Sequence, residues 1–87
     1  MTRLQQVLVW VLWKIESMGV FIDGVELKAE WIPIAKKINK ESKPDRSEID
    51  ALLIALLLEK RTFRAKDAAA VKRFNRSKDF AGIKLGG

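Results

Sequence analysis

Apolar residues recur at three- and four-residue steps near the start of the chain. Leu4, Val7, Leu8, Val11, Leu12, Ile15 and Met18 fall on one face of a helix. Thr2 is placed to cap its start and Gly19 to end it. At about 100° per residue, Val9, Trp10 and Trp13 lie on the far side. The helix therefore carries a second apolar patch that one buried stripe does not explain.

The stretch VFIDGVEL, residues 20–27, sets Asp23-Gly24 between two short β-branched runs. That pattern predicts a β-hairpin with Val20, Ile22, Val25 and Leu27 on one face, and Phe21 and Glu26 on the other. An irregular helix–helix connection with a simple turn is the alternative. A second helix is expected over Glu30–Glu41, with Trp31, Ile34, Ala35 and Ile38 inward and Lys36, Lys37 and Lys40 outward. Pro33 fits only in its first turn. ESKPDRS reads as a loop, and Ser47 as the cap of a third helix. ALLIALLL, apolar on nearly every side, places that helix at the centre of the core.

A fourth helix is expected from Thr62 to Arg76. A break near Thr62 is favoured over one continuous helix, because about 30 residues is long for a small domain. Beyond it lies a basic, flexible tail, with Phe80, Ile83 and Leu85 as the residues suited to docking part of it. The expected fold is a mainly α, small single-domain bundle of three to four helices with one short β-hairpin at about residues 20–27. Its domain covers 1–75 and its tail 76–87.

Composition narrows the chemistry. Hydrophobic residues make up 48% and charged residues 32% of 87 positions, the profile of one globular domain. There is no Cys, His or Tyr, so the common general base, thiolate nucleophile and preferred metal ligands are missing. Asp23, Glu26 and Glu30 are closely spaced carboxylates, but a turn, an exposed strand face and a helix start account for them. No glycine-rich phosphate loop occurs. The expectation is a protein that is not an enzyme and uses no cofactor or metal.

The uncharged runs Leu4–Trp13 and Ala51–Leu58 fall short of the roughly 20 residues that span a membrane. The N-terminal stretch imitates a signal peptide poorly, because Gln5, Gln6, Lys14 and Glu16 interrupt it. A cytoplasmic, reducing location without a membrane span is expected.

Charge is unevenly spread. Residues 1–59 hold 8 Lys/Arg against 9 Asp/Glu, whereas residues 60–87 hold 9 against 2. On a helical wheel of residues 62–76, Phe63, Ala70, Val71 and Phe74 face inward. Arg61, Arg64, Lys66, Lys72, Arg73 and Arg76 share the remaining arc with alanines, and Lys78 follows. Cations interleaved with small residues suit close approach to a phosphate backbone, DNA or RNA. A helix-turn-helix reading is weak, since the turn lacks glycine. The first expected function is therefore phosphate-directed nucleic-acid binding. The alternative is a protein-interaction module, a homodimer, adaptor or inhibitor, acting through Val9, Trp10 and Trp13. Against both stand plainer readings: a solvated basic helix, and tryptophans packed on their own chain.

Overall fold

A computed structural model describes residues 1–59 and 62–85 of the chain. Helix α1 spans Arg3–Ser17 and is capped by Thr2. The Thr2 hydroxyl accepts the Gln5 backbone N–H, and the Gln5 side chain accepts the Thr2 N–H. This reciprocal pairing satisfies two donors that the helix start would leave open. Gly19 turns the chain out of the helix at φ +83°, and a side chain there would come within 3.1 Å of the Arg73 guanidinium.

Strand β1, Val20–Ile22, follows. The Asp23-Gly24 turn forms as expected, with the Val25 N–H donating to the Ile22 carbonyl at 3.3 Å. The return strand over residues 25–27 does not form. Instead β1 pairs antiparallel with β2, Phe63–Ala65, setting Val20 opposite Ala65 and Ile22 opposite Phe63. The hairpin expected at 20–27 is corrected in its second half. A type I′ hairpin turn needs positive φ at both central residues. Only Gly24, at φ 74°, has it here, and Asp23 does not. The resulting turn is of type II sense, which splays the flanking segments and sends the chain away.

A 3₁₀ turn, Ala29–Trp31, leads into α2, Ile32–Glu41. Pro33 sits in the first turn of α2, where its missing N–H breaks no hydrogen bond. Ala35 and Ile38 are buried, and Lys36, Lys37 and Lys40 reach solvent. Helix α3, Arg46–Leu53, is capped by Asp45 rather than Ser47. The Asp45 carboxylate accepts the Glu48 N–H at 2.9 Å, and the Glu48 carboxylate accepts the Asp45 N–H at 3.3 Å. A charged acceptor outcompetes a hydroxyl for these donors. Ser47 instead donates to the Asp45 carboxylate at 2.7 Å.

The helix widens into a π-helical stretch, Ile54–Glu59. Ile49, Leu52, Leu53 and Leu57 are buried, but Ala51, Ile54 and Ala55 are exposed, so this segment is not sunk in the core on every side. Residues 63–65, expected as helix, are strand, and α4 covers only Ala68–Arg76. Asp67 caps α4, its carboxylate accepting the Ala70 N–H at 2.7 Å. Helices three and four are separate.

Among the described residues the fold is mainly helical, with four α-helices and one two-stranded antiparallel ribbon. Val7, Val11, Ile15, Val20, Leu53 and Phe74 lie at the centre of the core. Phe63 meets Phe74 edge-on at 4.7 Å, and Phe74 stacks on Phe80 at 5.1 Å. Phe80 belongs to the expected tail. It is fully buried, and Ile83 and Leu85 pack beside it.

Polar contacts fasten the same segment. Arg46 donates to the Asp79 carbonyl at 2.6 Å and to the Ala81 carbonyl. Its Nε lies 2.7 Å from the Asp50 carboxylate, a charge contact out of hydrogen-bond alignment. Asp79 pairs with Lys43 at 2.8 Å and Lys14 at 3.7 Å. Residues 77–85 are thus packed onto the domain, in place of the free tail expected from composition. No helix among the described residues is long and apolar enough to cross a membrane.

Candidate nucleic-acid interface

Two surfaces were expected to carry function, and the fold treats them differently. On α1, Val9 is 2% exposed and Trp10 0%, which corrects their expected place on the wet side. The Trp10 indole N–H donates to Asn39 Oδ1 at 3.2 Å. The Lys14 and Lys43 ammonium groups stand 5.7 and 5.8 Å from its ring, held there by Asp79. Helix α2, the loop after it and the C-terminal segment therefore cover this patch. Trp13 is half-buried, with Lys14 5.6 Å from its ring. Leu4, expected in the core, is 64% exposed. Val9 and Trp10 are thus buried within the fold instead of standing in solvent.

The basic residues do not form one helical arc. Arg61 lies outside the described residues. Arg64 and Lys66 belong to the ribbon and its exit, not to a helix. Arg64 Nε contacts the Asp23 carboxylate at 2.6 Å, and Thr62 donates its hydroxyl to the same carboxylate at 2.9 Å. Asp23 is thereby committed to the ribbon end. Arg73 spans from α4 to α1, donating from Nε and Nη2 to the Met18 carbonyl at 3.1 and 2.9 Å. A guanidinium at a helix C-terminus meets both an unpaired carbonyl and the negative end of the dipole.

Lys72, Arg76 and Lys78 are exposed and enter no ion pair among the described residues. Ala70 and Phe74 face the core, so Ala69, Lys72 and Arg76 occupy the opposite side of α4, with exposed Ala68 beside them. That side carries no carboxylate. Lys72 and Arg76 are one turn apart, about 6 Å along the axis. Asn75, the single amide of α4, bonds with the Leu85 backbone in both directions.

The acids gather elsewhere. Glu16 has its carboxyl pKa raised, chiefly by burial and further by Glu26. Glu48 is held below the usual carboxylate range, first by its hydrogen bond from Arg3, at 2.9 Å. Asp45 is lowered in turn, first by the Glu48 backbone N–H that it caps. Among the described residues no three His, Cys, Asp or Glu side chains are grouped to hold a metal ion.

Sequence reasoning found neither of the two hollows between α1 and α2, of about 370 and 450 Å³, which share Met1. Arg3, Lys37 and Glu41 line the first, and Leu8 and Trp31 the second. It also missed that Phe21, which the pattern set on the outer face of a strand, stands opposite Arg64. Only the non-local pairing of β1 with β2 brings those two together. No protein family, curated protein or solved structure matches the chain.

Proposed function

We propose that this protein binds nucleic acid without catalysis, gripping the phosphate backbone with the outer side of α4. The observation that carries this reading is the exposed Ala68, Ala69, Lys72 and Arg76 surface, free of carboxylates, with Lys78 beyond its end. Alanines let a phosphate chain lie close to the helix, and the long cations then reach it from either side. Each phosphate neutralised releases condensed counterion, which supplies affinity without sequence preference. Arg73 already serves the Met18 carbonyl through two nitrogens, so it contributes field more than direct grip. With Asn75 occupied, α4 offers no amide to read adenine.

The test is binding of a labelled random-sequence oligonucleotide at two salt concentrations. Three engaged cations predict a log–log salt slope of about −2 to −3. Lys72→Glu, Arg76→Glu and Lys78→Glu together should remove binding while the circular dichroism spectrum and melting curve stay those of the parent. Absence of binding at low salt, or a triple variant that binds like the parent, overturns the proposal.

A further inference from the structure

We infer that the outer face of the β1–β2 ribbon is a stacking site for an unpaired nucleobase, so that the ligand is single-stranded nucleic acid. This rests on the phosphate-binding reading of α4 and narrows it to one class of strand.

The ribbon's pleat sorts its residues. Val20 and Ile22 are buried, whereas Phe21 between them points outward and is half-exposed. Its directly opposed residue is Arg64, whose side chain is 63% exposed. Two residues further along the same strand direction, the Lys66 ammonium stands 5.8 Å from the Phe21 ring centroid. One aromatic ring therefore has a cation beside it and a second on its directly opposed residue, on a surface only two strands wide. Arg64 meets Asp23 through Nε, and its terminal nitrogens make no hydrogen bond among the described residues.

This set matches the two halves of a nucleotide. A base offers a flat π-face to the phenyl ring, and its phosphate lies within reach of a flexible ammonium or guanidinium. Lys66 over the ring is the resting arrangement. A base displaces it, and the ammonium moves to the phosphate. Duplex bases are stacked on one another and cannot reach a ring on a ribbon, so the site selects unpaired strands. Lys66 is next to Asp67, the cap of α4. The ribbon site and the start of α4 are thus consecutive in the chain.

The experiment compares a labelled thymidine 12-mer with a duplex of equal length, using the full chain and three variants. Phe21→Ala should weaken 12-mer binding by about tenfold, the order of one lost base–aromatic stack, and leave duplex binding and the salt slope unchanged. Phe21→Leu keeps apolar bulk and should lose the same affinity, whereas Phe21→Trp should restore it. If Phe21→Leu folds and binds the 12-mer like the parent, the stacking site is refuted and the α4 reading survives. If the parent binds neither oligonucleotide at low salt, the α4 reading fails and takes this inference with it.

Discussion

Helices α1 and α4 each carry a second side beyond the one that packs in the core, apolar on α1 and cationic on α4, and the two sides end in opposite states. In the second half of α1, Trp10, Val11, Leu12 and Ile15 are buried, so the core wraps most of the helix. Along α4 only Ala70 and Phe74 are fully buried, and the side opposite them stays in water. The difference lies in what each free side offers a neighbour. An indole ring releases water when covered, and α2 gains by covering that of Trp10. Lysine and arginine heads lose hydration when covered, and among the described residues no carboxylate pairs with Lys72 or Arg76 to compensate. Apolar excess is absorbed by the chain, while cationic excess stays in water.

The largest expected effect breaks the α1 side of that comparison. Trp10→Ala removes a fully buried indole and should cost about 3–5 kcal/mol in urea unfolding, most of the stability of a domain this small. A parent-like midpoint would put Trp10 back at the surface. Phe80→Ala comes next, at about 3 kcal/mol, and tests whether residues 77–85 belong to the core, since a dangling tail would lose nothing.

Asp45→Ala should lower the melting temperature clearly and Ser47→Ala only slightly, which separates the true cap of α3 from its neighbour. Acid sharpens the same point. Folded Asp45 and Glu48 carry lowered pKa values, so their contribution is complete above the usual carboxylate range and disappears as pH falls through the folded values. Glu16 is raised and acts in the other sense, so Glu16→Gln should raise the melting temperature at pH 7. The smallest stability effect belongs to the triple change of Lys72, Arg76 and Lys78 to Glu, within about 0.5 kcal/mol, although it should abolish binding.

Local chemistry was legible in the sequence where one segment decides it. The Thr2 cap, Pro33 in a first turn, the Asp23-Gly24 turn and the inward Ala70 and Phe74 all follow from nearest neighbours. Asp45-x-x-Glu48 is equally local, but Ser47, directly before Glu48-Ile49-Asp50, offers a competing cap signal. What failed depended on distant partners. A wheel drawn on α1 gives two apolar sides without saying that α2 lands on Trp10, and a wheel drawn through 62–76 merges a strand with a helix. The candidate site suffered most from this. Arg64 and Lys66 moved from a helix to a ribbon, and Phe21 became their neighbour.

The ribbon has a further consequence, for the order in which the molecule assembles. Its two strands are separated by about forty residues, and everything between them, including α2 and α3, is a loop that the ribbon closes. Contacts of such long range form only after closure entropy has been met. Turns of α1 and α3 can appear early from local signals, but the juxtaposition of Phe21 with Arg64 and Lys66 cannot exist in a half-made chain. A nascent or partly unfolded copy would carry the same positive charge and lack the ring between its cations, so strand selectivity would belong to the finished fold alone.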